Sequence, residues 1–338
     1  MALNGISELA TKQLRQVAKL DIAQAKRQGK TVADDGTISG SVDSTKPFYR
    51  GGNVYDITSL PNPYDIGENT INVDETPNTG GLIQGRPWLL TSSISAPESL
   101  AEALPAAVLV ELESWYDGGD STAFVPGNPA DGATFTQWTD KSAFAHNANP
   151  IGGATTRASY QTSEQNTLSV VRFDGNDGLS INPYASLASA PAITVFVVMK
   201  MTATAGNPRV WATNSGATEF YYDSTAGKFV VEAAGGIGTS TVVNDSTAFH
   251  IHTYAFDGSQ TTNATSLKYR YDSTDITLSF TGTVGDTLGA SNTTFYVGNN
   301  NGLNFYTGDI AEFLIFTKAL TSIQTQNVEN YLSTKWGL

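Results

Sequence analysis

The last part of the chain, residues 305–338, constrains the fold more than any other stretch. Residues 310–316 read Ile-Ala-Glu-Phe-Leu-Ile-Phe, a nearly continuous apolar run that is typical of a strand covered on both faces. Thr321 followed by Gln324 is a capping-box pattern, and Gly337 is a suitable stop, so the sequence predicts a helix between them. We expect this helix to pack back on the sheet through one apolar stripe: Ile323, Val328, Tyr331, Leu332 and Trp336.

From Ala106 onward, short segments with β-forming side chains alternate with turns rich in Gly, Asn and Asp. No helical pattern interrupts them before the C-terminal helix. We predict strands within residues 108–115, 134–138, 168–173, 192–201, 209–213, 219–223, 228–232, 248–256, 266–272, 276–281, 294–298 and 308–317. The sequence therefore predicts a mainly β fold over residues 105–338, a two-sheet antiparallel jelly-roll sandwich with a short C-terminal helix.

The first 104 residues differ in sequence pattern from residues 105–338. Residues 1–29 carry an amphipathic helix pattern, and residues 30–104 form an extended Pro/Gly-rich arm and linker, with a small irregular β unit as the competing interpretation. The apolar face of the helix has to be covered by copies of itself, with a trimer favoured, by another protein, or by the body of this chain. The predicted assembly residues are Leu3, Ile6, Ala10, Val17 and Leu20.

Composition excludes several classes of site and partner. The chain has 338 residues and no cysteine, which excludes disulfides and thiolate metal sites. No stretch reaches the ~18 apolar residues of a membrane span, and the N-terminus lacks a signal-peptide pattern. Residues 1–30 contain six lysines and arginines but only two acidic residues, whereas the whole chain has a net charge of −13. We therefore do not expect nucleic acid as the main partner.

Six stretches carry a resemblance to one family, and they occur in that family's order. They are Trp138–Ser142, Val171–Gly178, Ile193–Val198, Ala319–Thr321, Val328–Leu332 and Lys335–Leu338. Over about residues 106–338 the chain resembles concanavalin A-like (laminin-G-like) jelly-roll domains, although Ser322 and Gln324 replace acidic residues that are frequent there. The resemblance implies the sandwich fold and a place among phage or bacterial surface proteins. This fold hosts lectins, glycosidases and inert spacers alike, so it does not specify a function.

Sugar binding requires exposed aromatic faces together with amide or carboxylate groups that form directional hydrogen bonds. Tyrosines on several predicted strands and an Asn-rich loop offer both. The candidate glycan-binding residues are Tyr221, Tyr222, Tyr269, Tyr271, Tyr296, Asn299, Asn300 and Tyr306.

We expect no cofactor other than calcium, which some concanavalin A-like domains bind through oxygen-rich loops. Residues 174–178 read Asp-Gly-Asn-Asp-Gly, like the opening of a calcium loop, but the twelfth position is Ala185, which excludes an EF-hand. A glycine-rich hairpin turn is the ordinary interpretation. The candidate calcium ligands are Asp117, Asp120, Asp174 and Asp177.

Catalytic patterns are weak in this sequence. Glycoside hydrolysis needs two facing carboxylates, and the strands offer only Glu111 with Glu113, or the isolated Glu219 and Glu232. His250 and His252 share one face of a strand with Tyr254 and Phe256, which is typical of a half-buried aromatic stripe. We therefore expect no enzymatic activity.

These features together predict a structural protein of a tailed-phage virion, made in the host cytoplasm. The N-terminal helix and arm would attach it to the particle and to other virion proteins, and the sandwich would face solvent. A fibre or appendage subunit that adheres to host glycan is the main interpretation. A head decoration protein, a glycan-processing enzyme and a free soluble lectin are the alternatives.

Overall fold

The structure is a computed structural model that describes residues 99–104 and 106–338, together with four short strands nearer the N-terminus. Those strands are β1 (Thr31–Val32), β2 (Ile38–Ser39), β3 (Phe48–Arg50) and β4 (Asn53–Tyr55), which form two antiparallel pairs. The chain divides into two compact units, residues 1–93 and 94–338. The predicted helix over residues 1–29 and its assembly residues Leu3, Ile6, Ala10, Val17 and Leu20 lie outside the described residues.

The described part of the second unit contains eighteen strands, five short helical segments before its long helix, and that helix itself. The strands are β5 (Leu112–Asp117), β6 (Phe124–Val125), β7 (Gln137–Trp138), β8 (Asn149–Pro150), β9 (Ser159–Gln165), β10 (Leu168–Asp174), β11 (Leu179–Ile181), β12 (Ala192–Ala203), β13 (Arg209–Thr213), β14 (Glu219–Asp223), β15 (Lys228–Ala233), β16 (Gly236–Thr239), β17 (His250–Asp257), β18 (Leu267–Tyr271), β19 (Thr274–Ile276), β20 (Ser279–Thr281), β21 (Phe295–Val297) and β22 (Thr307–Phe316). The helices are α1 (Leu100–Ala103), α2 (Ala106–Leu109), α3 (Asn263–Ser266) and α4 (Ser322–Trp336), with short 3-10 segments at Ser121–Ala123 and Ala185–Leu187. None of the described helices is long and apolar enough to span a membrane.

Two antiparallel sheets face each other, as the sequence predicts. The first has the order β19-β18-β17-β12-β22-β10-β9, with β5 also paired to β22. The second has the order β20-β16-β15-β14-β13-β21-β11-β8. The mainly β sandwich with a C-terminal helix is thereby confirmed.

Strand β22 is the centre of the first sheet. One edge pairs with β12 along its whole length, while β10 and β5 share the other edge. A bulge at Ala311 interrupts the register with β12, because Val198 pairs with Glu312 and Met199 with Ile310. The extra residue places the side chain of Glu312 on the outer face of the sheet, beside Ala311, where α4 covers it.

The sandwich has two apolar cores. The larger one lies between the sheets and is rich in stacked rings, such as Trp211, whose ring centre is 4.8 Å from Tyr254 and 5.1 Å from Phe295. The smaller one lies on the outer face of the first sheet, where α1, α2 and α4 cover Phe196, Leu314 and their neighbours. Strand β22 is therefore covered on both faces, which explains its continuous apolar sequence.

The terminal helix begins and ends where the sequence predicts. Thr321 accepts from the backbone N–H of Gln324, whose side chain accepts from Thr321 in return, and Gly337 ends the helix with φ 67°. Four members of the predicted stripe are buried: Val328, Tyr331, Leu332 and Trp336. The assignment of Ile323 to that stripe is wrong, because its side chain is 64% exposed. Ile323 precedes Val328 by five residues, a rotation of about 140° around the helix.

A buried carboxylate joins α4 to the central strand. Glu312 Oε2 accepts from Trp336 Nε1 and Lys335 Nζ, each at 2.7 Å, and Oε1 accepts from Tyr331 and Trp115. Burial raises the pKa of Glu312, and the ammonium of Lys335 opposes that shift. Lys335 also lies 2.6 Å from Asp117 Oδ1, so the helix end is tied to β5 as well.

A second buried carboxylate fixes the other side of the same helix. Glu329 accepts a 2.8 Å hydrogen bond from Thr253 on β17 and two from the guanidinium of Arg270 on β18. The alternation of side chains along β18 explains this contact, since Tyr269 faces the core and Arg270 faces the helix. The middle and the C-terminal end of α4 are therefore fixed to the sheet by charge.

Several predicted strands differ from those observed. The first begins at Leu112 rather than residue 108, because α2 occupies Ala106–Leu109. Strand β9 reads Ser-Tyr-Gln-Thr-Ser-Glu-Gln and was missed because it has almost no apolar side chains. Strands β6, β8, β11 and β16 were missed because they are two to four residues long, too short for a periodic pattern.

We expect Lys335→Met to lower the free energy of unfolding by about 3 kcal/mol, because it leaves the carboxylate of Glu312 buried beside neutral donors only. The loss should be largest at high pH. A carboxyl whose folded pKa is raised binds more protons in the folded state, so stability falls as pH rises through that pKa. Urea unfolding from pH 5 to 9 measures this effect.

Lys268→Met is the matched control, since Lys268 is exposed on β18. It should change the unfolding free energy by less than about 0.5 kcal/mol. Equal losses for the two variants, or a loss in Lys335→Met that does not depend on pH, would contradict the anchoring role of this ion pair.

Candidate functional site

Asp140 organises the loop that precedes a cleft at one edge of the sandwich. Its Oδ1 accepts from the backbone N–H groups of Trp115 and Ser142, and its Oδ2 accepts from Ser142 Oγ and from the N–H of His146. A buried carboxylate with four neutral donors fixes the backbone around it. The motif Trp138–Ser142 therefore has a structural role, which is to fold residues 140–146 into a defined loop.

His146 is held at the wall of this cleft in a defined tautomer. Its Nδ1 lies 3.2 Å from the carbonyl oxygen of Glu113, which can only accept, so Nδ1 carries the proton and Nε2 is an acceptor. The imidazole lies 4.6 Å from the ring of Tyr184 and stacks at 5.9 Å and 17° on Phe144. Phe144 is 46% exposed, so one aromatic face beside the cleft is open to solvent.

The cleft has a volume of about 370 Å³ and lies where β7, β8 and β11 end. Its walls are mostly amide side chains, with an imidazole and a small apolar surface. The lining residues are Gln137, Ala145, His146, Asn147, Asn149, Ile181, Asn182 and Pro183.

The amides of the cleft are only partly used within the protein. Gln137 Nε2 donates to Asn149 Oδ1, Asn149 Nδ2 donates to the carbonyl of Asn147, and Asn147 Oδ1 accepts from the N–H of Asp140. These bonds fix the orientation of each amide. Within the described part of the chain, Gln137 Oε1, Asn147 Nδ2, the Asn182 amide and His146 Nε2 have no partner. The cleft therefore presents both donors and acceptors to a ligand.

A carboxylate pair lies on the outer face of the second sheet, which also contains β8 and β11 of the cleft. Glu219 on β14 and Glu232 on β15 are direct cross-strand neighbours, so their side chains point to the same side. Arg209 holds Glu219 through two parallel bonds of 3.1 and 2.8 Å, and its guanidinium lies 4.0 Å from the ring centre of Tyr221. Asn300 also donates to Glu219 at 3.2 Å.

The two carboxyls of this pair are electrostatically different. Burial, and then the charge of Glu219, raise the pKa of Glu232 to about 7, although Arg209 acts in the opposite direction. Glu232 therefore exchanges its proton near neutral pH. Two parallel hydrogen bonds from Arg209 hold the carboxylate of Glu219 beside it. The pair therefore combines a carboxyl that titrates near neutral pH with one that is fixed by a guanidinium.

The loop that contains Asn300 and Asn301 separates the cleft from the carboxylate pair. Asn149, Ser180, Tyr296, Ala212, Glu219 and Glu232 form one cross-strand row over the outer face of the second sheet. Tyr296 donates to Asn301 at 3.0 Å in the middle of this row, next to the contact between Asn300 and Glu219. The face therefore carries two distinct sites.

The predicted glycan-binding residues occupy different surroundings. Tyr222, Tyr269, Tyr306 and Asn299 are buried, the tyrosines between the sheets and Asn299 bonded to the carbonyls of Leu179 and Val297. Tyr271 is half-buried on the first sheet and stacks on His250 at 4.7 Å. Only Tyr221, Tyr296 and Asn300 come together, on the outer face of the second sheet.

The four predicted calcium ligands do not form one site. Asp117 pairs with Glu312 of β22, and Asp174 pairs with Thr307 of the same strand. These two positions of β22 are five residues apart, which is on the order of 16 Å along a strand. Asp117 and Asp120 do not fit a cation, because the ammonium of Lys141 lies 3.0 and 2.7 Å from them.

Asp174 and Asp177 do lie together, and this pair fits a cation better. Asp177 Oδ2 accepts from the N–H of Asp174, while its buried Oδ1 has no partner in the described structure. Burial raises the pKa of Asp177 to about 6. The described residues contain no group of three acidic or histidine side chains that could hold a metal. Calcium at Asp174 and Asp177 stays a prediction.

The other candidates from the sequence lie in structural positions. Glu113 is buried and accepts from Ser186 and Thr317, while Glu111 precedes β5 rather than belonging to it. Burial lowers the pKa of His252 to about 3, and its Nδ1 bonds to Tyr269. His252, Tyr254 and Phe256 pack together toward the core, as the aromatic-stripe interpretation requires.

The cleft residues were missed by the sequence analysis. They come from three separate segments, Gln137, residues 145–149 and residues 181–183, and none belongs to a predicted strand except Gln137. The available signal was the run His-Asn-Ala-Asn directly after the Asp140 motif, which concentrates polar side chains in one short loop.

Several solved structures are similar to part of this chain. Domain 4 of AbnA, an extracellular GH43 arabinanase from Geobacillus stearothermophilus in complex with arabinotriose, is 13% identical, with TM-score 0.46 over 64% of this chain and 98% of that domain. Trypanosoma rangeli sialidase in complex with sialic acid is 14% identical, with TM-score 0.46 over 72% of this chain and 36% of the sialidase. The binding domain of botulinum neurotoxin DC in complex with SialylT is 9% identical, with TM-score 0.40 over 67% and 52%. No family model and no curated protein matches the sequence.

These comparisons correct one expectation. The sequence analysis expected no enzymatic activity, and this is contradicted because the similar structures include parts of an arabinanase and a sialidase. At these TM-scores the likeness carries no argument for a particular activity in this chain.

Proposed function

We propose that this protein binds carbohydrate in the cleft formed by β7, β8 and β11. The observation that carries the proposal is the set of unused polar groups in the cleft wall: Gln137 Oε1, Asn147 Nδ2, His146 Nε2 and the Asn182 amide. Sugar hydroxyls donate and accept hydrogen bonds at once, so a wall with both kinds of group is complementary to them.

The exposed ring of Phe144 supplies the second element of a sugar site. Its ring stacks on that of His146, which lines the cleft. The C–H faces of a sugar ring pack on aromatic faces, while the hydroxyls at the ring edge reach directional partners. Because Asp140 fixes the loop through four hydrogen bonds, these groups are held in place before a ligand arrives.

We expect Asn182→Ala and Phe144→Ala each to weaken glycan binding about threefold to tenfold, since each removes one hydrogen-bonding or packing contact. Both side chains are exposed, and Asn182 has no partner within the described chain, so the fold should be unaffected. Titration by ligand-observed NMR against neutral and acidic oligosaccharides measures the effect, with circular dichroism as the folding check.

Thr225→Ala is the control, because Thr225 is exposed in the turn between β14 and β15. It should leave binding unchanged. Binding that survives in both cleft variants, or the absence of binding to every sugar of the panel, would contradict a sugar site in this cleft.

Carbohydrate hydrolysis at Glu219 and Glu232 is the second candidate function, favoured by the raised pKa of Glu232 next to a second carboxyl. Glycoside cleavage needs a carboxylic acid that protonates the leaving oxygen near neutral pH, next to a second carboxylate. Glu232 has the required proton affinity. Glu232 would protonate the leaving oxygen, and Glu219, which is 3% exposed and held by Arg209, would have to supply the second carboxylate that attacks the sugar carbon or activates water.

We expect Glu232→Gln to lower any glycoside hydrolysis by more than about a hundredfold, because an amide cannot donate the proton. Wild-type activity should fall as pH rises above about 7, where Glu232 loses that proton. Release of reducing ends from a polysaccharide panel between pH 4 and 9 measures both effects.

The matched control is Glu111→Gln, an identical change at a carboxyl outside the pair. It should keep wild-type activity. A wild-type protein that cleaves nothing in the panel, or a Glu232→Gln variant as active as wild type, would exclude the catalytic role and leave the cleft proposal standing.

For the setting of this domain we propose display on a tailed-phage particle, as a self-associating fibre or appendage subunit. The support is the sequence resemblance and the amphipathic pattern of residues 1–29. Repetition of a weak sugar site by symmetry would give avidity to such an appendage. Attachment to other virion proteins through residues 30–104 belongs to the same proposal.

Sedimentation of the full chain beside residues 94–338 tests self-association. The shorter chain must keep Leu100, Ala103 and Leu104, because they pack in the outer core with α4. We expect a trimer for the full chain and a compact monomer for residues 94–338. Two monomers of equal thermal stability would exclude the self-associating appendage.

A further inference from the structure

We infer that the cleft selects uncharged sugar residues and rejects acidic ones such as uronic and sialic acids. This inference rests on the proposed carbohydrate-binding function and specifies its ligand class. It follows from the charges of the cleft wall and of the groups directly behind that wall.

Among the residues that the structure describes, the lining of the cleft contains no lysine or arginine. Its polar members are three asparagines, one glutamine and His146, whose Nε2 is an acceptor in the neutral imidazole. Proteins that bind a sugar carboxylate or a phosphate do so with a guanidinium or ammonium, because a carboxylate that loses water needs an opposite charge. This cleft offers hydrogen bonds without that charge.

Two buried carboxylates lie immediately behind the wall. Glu113 Oε1 is 3.5 Å from Nδ1 of His146, and Asp140 Oδ2 is 2.8 Å from the backbone nitrogen of the same residue. The other hydrogen-bond donors to these two carboxylates are hydroxyl and backbone N–H groups. Their negative charge is therefore not cancelled by a direct ion pair with lysine or arginine.

The lysine nearest in sequence does not offset this charge. Lys141 follows Asp140, but its ammonium lies between Asp117 and Asp120, at 3.0 and 2.7 Å. Lys335 also contacts Asp117 but shares its charge with Glu312, so two cations face three carboxylates in that group. The chain as a whole carries −13, so its net field is negative as well.

A sugar carboxylate in the cleft would thus lose water next to like charges, whereas a hydroxyl at the same place would not. Matched pairs of methyl glycosides isolate this difference, since methyl glucoside and methyl glucuronide differ only at C6, as do the galactose pair. We expect the full-length protein to bind the neutral member at least about tenfold more tightly in ligand-observed NMR titrations at pH 8 and low salt.

Ala145→Lys tests the electrostatic origin of the selectivity. Ala145 lines the cleft, is exposed and already has φ 57°, so lysine adds a cation without changing the backbone preference. This substitution should reduce the ratio of the affinity for the neutral sugar to the affinity for the uronide by about threefold or more. Thr225→Lys adds the same net charge four strand spacings from β8, about 19 Å away, and should not.

The outcomes separate the inference from the function on which it rests. Equal or tighter binding of the uronides by wild type would overturn the inference and leave sugar binding intact. Equal effects of Ala145→Lys and Thr225→Lys would also overturn it, since the selectivity would then come from net charge alone. Binding of neither member of any pair would overturn the proposed function itself, and the inference with it.

Discussion

The buried carboxylate of Glu312 is the interaction on which the rest of the structure depends. It lies on the central strand of the first sheet, covered on every side, and four donors from α4 and β5 converge on it. An ionised group at this depth is tolerated only when each of its oxygens is bonded. Helix α4 is therefore fixed in position as well as attached, and the apolar outer face of the sheet is covered as a consequence.

The same network reaches the proposed sugar cleft through a series of direct contacts. Lys335 joins Glu312 to Asp117, and Asp117 accepts from Lys141. Lys141 belongs to the loop that its neighbour Asp140 folds, and that loop positions His146 at the cleft wall. The charges that hold the terminal helix on the sheet and those that shape the loop are thus parts of one arrangement. This explains why the Trp138–Ser142 motif and the terminal helix occur together in a single chain.

Local patterns predicted the parts of the fold that depend on neighbouring residues, and failed where distant segments meet. The capping box at Thr321 and the apolar run of β22 are local, and both were placed correctly. The side chain of a tyrosine on a strand points to one of the two faces of the sheet, and the sequence alone does not tell which face is buried. The buried Tyr222, Tyr269 and Tyr306 were therefore grouped with Tyr221 and Tyr296. The cleft combines three segments that only the sheet order brings together, which no spacing rule reveals.

The two sites on the second sheet favour an extended ligand over a single sugar. Asn149 at the cleft rim and Glu232 belong to one cross-strand row, separated by five strand spacings, about 24 Å. The loop of Asn300 and Asn301 lies between them, so a monosaccharide contacts one site only. If an oligosaccharide crosses the loop, its contacts in the cleft would hold a remote glycosidic bond next to the protonated carboxyl of Glu232. Binding energy from a non-reacting part of a substrate is most useful in such an arrangement, because it positions the bond that reacts.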